Sequence, residues 1–298
     1  MKLTHTIEGE GSDVLLLHGF PSNMYFWDEI KKELIKNNKR VTVPEQRGYP
    51  LSEIKDSLVS DFNIESLAID IEELVKELDL DNELTIVGHD WGSIVGWAVI
   101  SRGNINIKKF VSICGGDEFP STHIYNKLKF NLGDHYITSF QEPEKSSKEI
   151  DLNLESFFRL SYRDISANVE NPDLSLKNLF THGKTGKLVV DDNTIDNYIK
   201  HFNGHSLYQP ICWYSNIDLN IELSNEWRNK VTTPVTFLYG ELDVAVKLTD
   251  KMTDRLKNLG TDITIKEVRG AGHWLPLTHK ESVLSAVSYT HLTLPTKA

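Results

Sequence analysis

One segment in the middle of the chain restricts the possible folds more than any other. A short apolar run, Leu84–Val87, leads directly into Gly88-His89-Asp90-Trp91-Gly92, and an apolar helical pattern follows through Ile94 and Trp97. Glycines two positions before and two positions after a central residue allow a sharp turn from strand to helix, because larger side chains would clash across it. The segment therefore predicts a β-strand, a tight turn with Asp90 at its apex, and a buried helix.

Short apolar runs alternate with helical patterns along much of the chain, which is typical of a mostly parallel α/β sheet. The six runs are Asp13–Leu17, Arg40–Val43, Leu84–Val87, Phe110–Cys114, Pro234–Tyr239 and Asp262–Val268. Between the second and third runs, apolar residues recur at three- and four-residue spacing from Ile64 to Leu78, which predicts an amphipathic helix. Because ligands of such sheets bind at the carboxyl ends of the strands, we expect functional residues there.

The alternation of strands and helices stops between the fourth and fifth runs. Residues 120–230 consist of aromatic-rich helical segments with polar breaks. We therefore predict a core formed by residues 1–119 and 231–287, with residues 120–230 as a helical cap over the sheet edge. Residues 288–298 resemble translated adapter sequence, so we interpret them as a non-native tail.

Composition and charge limit the classes of partner. The 298 residues carry 43 acidic and 32 basic side chains, a net charge of −11, which argues against nucleic acid or an anionic membrane as a partner. No stretch approaches the ~20 apolar residues of a membrane span, and the first residues lack the apolar core of a signal peptide. Cys114 and Cys212 are in no metal-type spacing, so we expect two reduced thiols in a cytoplasmic protein.

Asp90 occupies the position at which such a turn usually presents a serine nucleophile. A serine must lose a proton before it attacks, whereas an aspartate is already ionised at neutral pH. A carboxylate at this position can therefore attack a saturated carbon and form an alkyl ester. The simpler alternative is a plain tight turn, with the Asp90 side chain capping the following helix.

The loop after the first run has the features of an oxyanion-binding turn. Leu17-His18-Gly19-Phe20-Pro21 lies at the predicted strand end and precedes an aromatic-rich helix start. We predict that the backbone N–H groups of Phe20 and Trp91 hold the oxyanion of a reacting carboxyl group, since Trp91 lies at a helix N-terminus. A turn without this role is the alternative, because His-Gly pairs are common.

The loops after the last two runs supply a base and the acid that orients it. His273 lies in a glycine-rich loop after the final run, and the order nucleophile, acid, histidine is the one expected for this type of turn. Asp243 follows the fifth run and would accept the imidazole N–H of His273. Glu241 is one alternative for the acid, and Asp117 or Glu118 after the fourth run is another.

Together these motifs resemble the epoxide hydrolases of the α/β-hydrolase family over nearly the whole chain. The resemblance rests on His18–Pro21, Arg47–Tyr49, Gly88–Gly92, Gly240–Asp243 and Gly270–Trp274. It implies an α/β-hydrolase fold, with a mostly parallel central sheet flanked by helices and an inserted helical cap. It also implies two cap tyrosines whose hydroxyls hold and protonate the epoxide oxygen, and Tyr136 and Tyr214 match them.

The leaving group separates this activity from that of haloalkane dehalogenases, which use the same aspartate turn. A halide needs N–H donors, one of them on the side chain after His-Gly, and that side chain here is Phe20. An epoxide leaves as an alkoxide, to which tyrosine readily donates a proton. We therefore expect hydrolysis of an epoxide to a vicinal diol without a metal or organic cofactor. A haloalkane dehalogenase and a non-catalytic ligand-binding protein of this fold are the alternatives.

The aromatic side chains of the predicted cap indicate an apolar pocket for a small apolar epoxide. These side chains are Phe130, Phe140, Phe157, Phe158 and Trp213. We predict that Trp213 and Phe140 line the pocket directly. The sequence is compatible with a monomer or a homodimer.

Overall fold

The carboxyl ends of parallel strands meet along one edge of the central sheet. The computed structural model describes residues 1–80, 83–115, 135–164, 175–176, 186–227, 231–243, 245, 248–259 and 262–288. Its strands are β1 (His5–Glu8), β2 (Ser12–Leu17), β3 (Lys39–Pro44), β4 (Thr85–His89), β5 (Lys109–Ile113), β6 (Arg163–Asp164), β7 (Lys187–Leu188), β8 (Val235–Gly240) and β9 (Ile263–Val268). Seven of them form one sheet in the order β1-β3-β2-β4-β5-β8-β9. Only β1 runs antiparallel to its neighbour in that sheet.

All six predicted runs form strands of this sheet, with ends that differ from the predictions by one or two residues. Five of these strands are largely buried, as expected for parallel strands covered on both faces. The sixth, β9, lies at the sheet edge and is mostly half-buried. The prediction omits β1, which pairs with β3 alone.

Helices flank this sheet or lie in the segment between β5 and β8. They are α1 (Asp28–Lys36), α2 (Ile64–Glu77), α3 (Trp91–Arg102), α4 (Tyr136–Ser139), α5 (Pro143–Asp151), α6 (Leu154–Ser161), α7 (Asp192–His201), α8 (Tyr208–Cys212), α9 (Ile217–Ser224), α10 (Asp250–Asn258), α11 (Leu275–Thr278) and α12 (Lys280–Ser288). The amphipathic helix predicted between the second and third runs is α2, which begins after Asn63 because the Asn63 side chain accepts a hydrogen bond from Ser66 N. None of these described helices is both long enough and apolar enough to cross a membrane.

Helices α4–α9 and the β6–β7 ribbon lie between β5 and β8 and form an inserted segment. Several hydrogen bonds join this segment to the core. The Gln209 side chain pairs with both backbone groups of Ile54, at 3.0 and 2.7 Å. On the other side, the Trp274 indole N–H donates to Ser161 O at 2.7 Å. The exact borders of a separate cap stay a prediction, and residues 289–298 of the expected tail lie outside the described residues.

Candidate active site

The turn after β4 has the sharp conformation that its glycines predict. Asp90 lies at its apex with φ 53° and ψ −122°, a conformation that is unfavourable for a residue with a Cβ. A side chain at Gly88 would clash with Gly92 O, and one at Gly92 would clash with Leu17 O. The Asp90 side chain makes no capping hydrogen bond to α3. The turn therefore directs the Asp90 carboxylate away from the helix and towards the loops above the sheet.

The two oxygens of the Asp90 carboxylate have different neighbours. Phe20 N donates a hydrogen bond to Oδ1 at 2.7 Å. The imidazole Nε2 of His273 lies 3.6 Å from Oδ2. Because Oδ1 is held by a backbone donor, Oδ2 is the oxygen that is free to form a new bond. Trp91, the second predicted oxyanion donor, is the first residue of α3, so its N–H lies at a helix N-terminus.

Three donors fix the peptide unit that presents the Phe20 N–H. The carbonyl oxygen of Gly19 belongs to the same planar peptide group as Phe20 N. This oxygen accepts hydrogen bonds from His18 Nδ1 at 3.1 Å, from Ser22 Oγ at 2.9 Å and from Tyr49 Oη at 3.1 Å. With its carbonyl end held on three sides, the peptide has little freedom to turn its N–H away from Asp90. This contact gives Arg47–Tyr49 a role in the site.

His273 and Asp243 meet at the same edge of the sheet. His273 Nδ1 donates to Asp243 Oδ2 at 3.1 Å, and Ala245 N donates to Asp243 Oδ1 at 2.8 Å. Glu241 instead accepts a hydrogen bond from Gly270 N at 2.9 Å on the exposed surface. The geometry therefore pairs His273 with Asp243, while Asp117 and Glu118 lie outside the described residues.

His273 lies between two carboxylates, and this position controls its charge. Burial by itself would lower the pKa of His273, but the charges and hydrogen bonds of Asp243 and Asp90 outweigh burial. The net effect raises the pKa of His273 to about 10. In the resting site the ring is thus an imidazolium that pairs with both carboxylates.

Tyr136 and Tyr214 lie together in the inserted segment, above Asp90. Their ring centroids are 6.0 Å apart, with the rings nearly perpendicular. The ring of Trp91 packs edge-on against Tyr214, with ring centroids 5.0 Å apart. Burial, followed by the charge of Asp90, raises the pKa of both phenols above its usual value. Both therefore keep their protons at neutral pH and can donate them.

A cavity of about 120 Å³ lies between the sheet edge and the inserted segment. Asp90, His273, Tyr136 and Tyr214 reach it, and Phe140 lines it as predicted. Its other walls include Phe20, Phe157, Leu160, Arg163, Asp164 and Trp274. Every predicted nucleophile, base and proton donor thus borders one mainly apolar space.

The described residues that line this cavity do not include Trp213, in contrast to the prediction. It is fully buried behind Trp91, with ring centroids 5.7 Å apart. Its indole N–H donates to Arg47 O at 3.1 Å, and this hydrogen bond holds the ring against the core. Phe158 also packs away from the cavity, against Tyr198. Phe130 lies outside the described residues.

Sequence reasoning missed two other groups of residues near the site. Arg163 and Asp164 line the cavity, but they lie in a polar break of the inserted segment, where no pattern marks them. His89 and Cys114 are buried behind His273. Their positions at the ends of adjacent strands could have indicated them.

The strand-turn-helix nucleophile, together with a histidine from the loop after the last strand, defines an enzyme site of the α/β-hydrolase class. Residues 14–280 match the family described as alpha/beta hydrolase fold, so the chain belongs to that family.

Three relatives are informative. The chain is 24% identical over 280 residues to Bifunctional epoxide hydrolase 2 of Sus scrofa, a match that covers 91% of this chain but 50% of that protein. It is 28% identical over 277 residues to Epoxide hydrolase 2 of Caenorhabditis elegans, covering 89% of this chain and 70% of that one. The crystal structure of Epoxide Hydrolase A from Mycobacterium thermoresistibile has a TM-score of 0.82 at 22% identity, over 96% of this chain and 93% of that one. The structural likeness shows the fold alone, and the chain spans half the length of the pig relative.

Proposed function

We propose that this chain hydrolyses epoxides to vicinal diols through an alkyl ester on Asp90. The observation that carries the proposal is the placement of Asp90, which borders the cavity with both tyrosines and whose Oδ2 accepts no hydrogen bond from a backbone N–H of the described residues. In this proposal residues 120–230 act as the cap, and the substrate is a small apolar epoxide. A cytoplasmic location and a monomeric or homodimeric state are also proposed, and they rest on the sequence.

In the first half of the reaction, Asp90 Oδ2 attacks one carbon of the epoxide ring. The carbon–oxygen bond of the ring breaks, and the oxygen takes a proton from Tyr136 or Tyr214. Both tyrosines line the cavity together with Asp90, so both can face the oxygen of an epoxide bound there. Donation by a phenol to a departing alkoxide is favourable, because the alcohol that forms is a far weaker acid than the phenol. The product of this half is an ester in which Oδ1 is the carbonyl oxygen.

In the second half, His273 removes a proton from water, and the water oxygen attacks the ester carbonyl carbon of Asp90. Negative charge develops on Oδ1, which already accepts a hydrogen bond from Phe20 N. Trp91 N supplies the second donor at the helix N-terminus in this proposal. The acyl–oxygen bond breaks as the former Oδ2, now part of the diol, takes the second proton of the water, and Asp90 keeps the water oxygen in its carboxylate. The tyrosinate left by the first half regains the proton that the His273 imidazolium releases before it acts as the base. Each step uses residues of the chain, without a metal or organic cofactor.

The surroundings of Trp91 and Phe20 favour an epoxide over a halide. The ring of Trp91 packs against Tyr214, which is a proton donor for an oxygen leaving group, with ring centroids 5.0 Å apart. The Phe20 ring packs against Phe140 and Tyr214, with centroids 5.5 and 5.3 Å away, and offers no polar atom. The relatives named as epoxide hydrolases support the same choice.

A single turnover in oxygen-18 water tests the covalent intermediate. With enzyme in excess over styrene oxide, the new diol oxygen should be unlabelled, and the peptide that contains Asp90 should gain one heavy oxygen. A labelled diol in the first turnover, with an unlabelled peptide, would overturn the proposal.

Trapping the ester provides a second test. His273→Gln removes the base that the second half needs, so the peptide with Asp90 should carry the added mass of the substrate. Asp90→Asn should abolish both the adduct and diol formation. His279→Gln is the matched control, because the half-buried His279 ring does not line the cavity and hydrogen-bonds only Thr278 among the described residues. Full activity of Asp90→Asn would show that another group is the nucleophile.

A further inference from the structure

Two buried side chains behind His273 have no part in the proposed reaction. His89 is the last residue of β4, and Cys114 directly follows β5. These strands are paired with His89 opposite Ile113, so the two side chains emerge at the same sheet edge. Both are fully buried. The Cys114 sulfur and one nitrogen from each of His89 and His273 all lie within 4.8 Å of one another.

His89 has an unused lone pair. Its Nε2–H donates to His273 O at 2.8 Å, which leaves the lone pair of the neutral ring on Nδ1. Nδ1 is buried and has no hydrogen-bond partner among the described residues. A buried acceptor without a donor is unfavourable, and a bound cation would satisfy it.

The charge and chemistry of the group suit a thiophilic divalent cation. A thiol and two imidazoles are the ligand types that bind Zn²⁺ or Cd²⁺. Asp90 and Asp243 carry negative charge next to Cys114, and the thiol hydrogen-bonds Asp243. In a tetrahedral zinc site with bonds of about 2.0–2.3 Å, ligand atoms lie roughly 3.3–3.7 Å apart. Since the three atoms lie within 4.8 Å of one another, they need to approach by no more than about 1.5 Å.

We propose that His89, Cys114 and His273 form an inhibitory site for a thiophilic divalent cation such as Zn²⁺ or Cd²⁺. Binding breaks the S–H bond of Cys114 and one N–H bond of the His273 imidazolium, forms a metal–sulfur bond and a metal–nitrogen bond, and releases both protons to solvent, with no change in oxidation state. His273 uses Nδ1 to hold Asp243 and presents Nε2 towards Asp90. A metal on either nitrogen removes one of these contacts. The inhibition rests on the proposed function, whereas the binding of the metal does not.

The first measurement is a titration of chelator-treated protein with Cd²⁺, followed by the ultraviolet charge-transfer absorption of a cadmium–thiolate bond and by calorimetry. We expect one cadmium ion per chain with this absorption, and loss of styrene oxide hydrolysis over the same range of concentration. Removal of the metal with EDTA should restore the activity. A cadmium ion held only by surface carboxylates would give no charge-transfer band, and that result would overturn the site.

Two cysteine variants locate the metal. Cys114→Ser should remove the absorption band and weaken inhibition at least about tenfold relative to its own metal-free rate, because a hydroxyl is a poor ligand for soft metals. Cys212→Ser is the matched control, since Cys212 is equally buried but lies in α8, and it should keep both the band and the inhibition. A band that survives in Cys114→Ser, or that disappears in Cys212→Ser, would refute the assignment.

A histidine variant keeps the proposal testable if Cys114→Ser fails to fold. His89→Gln retains the thiol but removes one ligand, so cadmium should still give the band, with an affinity at least about tenfold lower. An unchanged affinity would exclude His89.

If the wild-type chain shows the band but hydrolyses no epoxide, the metal site stands and the proposed function fails. If an active enzyme binds cadmium with the band and keeps its full rate, the inhibitory role is wrong.

Discussion

Removal of the Tyr49 hydroxyl tests how the site holds the donor that faces Asp90. Tyr49 Oη donates to Gly19 O at 3.1 Å, and Phe20 N, in the same peptide unit, donates to Asp90 Oδ1 at 2.7 Å. Tyr49→Phe deletes one donor to that carbonyl. The ring can keep its edge contact with His18, whose centroid lies 4.5 Å away. The variant therefore changes the hydrogen bond with little change in packing.

The expected size of the effect follows from the number of donors that remain. Gly19 O keeps the hydrogen bonds from His18 and Ser22, so no buried acceptor is left without a partner. The loss is then that of one neutral hydrogen bond, about 0.5–1.5 kcal/mol. If it falls entirely on the transition state of ester hydrolysis, the rate decreases about 2- to 10-fold. Complete loss of the donor would cost roughly 100- to 1,000-fold.

Single-turnover kinetics separate the two halves of the reaction. Oδ1 becomes negatively charged again during ester hydrolysis, so Tyr49→Phe should slow that step more than ester formation. Ser22→Ala should act in the same direction, and the double variant should exceed either alone. Tyr25→Phe is the matched control, because the Tyr25 side chain is 46% exposed. Unchanged ester hydrolysis in the double variant, with folding intact, would refute the role assigned to the Gly19–Phe20 peptide.

Three other changes have defined outcomes. Tyr214→Phe should slow ester formation about 10- to 100-fold, because a proton donor is lost while a second hydroxyl remains. Tyr239→Phe should leave the rate unchanged, because Tyr239 does not line the cavity and its hydroxyl donates to Glu267. Asp90→Asn should lower the pKa of His273 from about 10 in an NMR titration, since a carboxylate that stabilises the imidazolium is removed; an unchanged pKa would contradict the pairing. Trp274→Phe loses the 2.7 Å hydrogen bond to the inserted segment and should lower the free energy of unfolding by about 1 kcal/mol in urea titrations; unaltered stability would contradict this estimate.

The pH dependence of stability has a sign fixed by His273. Its pKa is raised in the folded protein, so the group contributes stability that is fully present below its unfolded pKa and is lost as pH rises through about 10. In Asp90→Asn the same contribution should disappear at a lower pH. Urea titrations at several pH values between neutral and alkaline measure this, and identical profiles for the two proteins would contradict the linkage.

The central sheet was predictable because buried parallel strands are continuous apolar runs with turn residues at their ends. The edge strand β1 gave no such signal. It has four residues, none of them buried, and its one large aliphatic side chain, Ile7, is 43% exposed. Its strand conformation comes from hydrogen bonds with β3, which a local pattern does not encode.

The site was predictable where the backbone itself requires particular residues. Asp90 could be identified because the sharp turn requires the glycines on either side of it. Asp243 and His273 could be identified because each follows the end of a strand of the sheet. The direction of an aromatic side chain in the inserted segment has no such restriction. Phe140 lines the cavity, whereas Trp213 points into the core because its indole N–H donates a hydrogen bond to Arg47 O.

The raised pKa of His273 links the two halves of the proposed reaction. While Asp90 is a carboxylate, its charge and hydrogen bond help to keep the ring protonated, with a pKa of about 10. An imidazolium cannot remove a proton from water. Formation of the ester removes the charge of Asp90, so Asp243 is the one carboxylate of the pair that still raises the pKa of His273. Burial still lowers this pKa, so the pKa of His273 decreases when the ester forms. The ring can release its proton once the ester exists, so the base becomes available at the step that needs it.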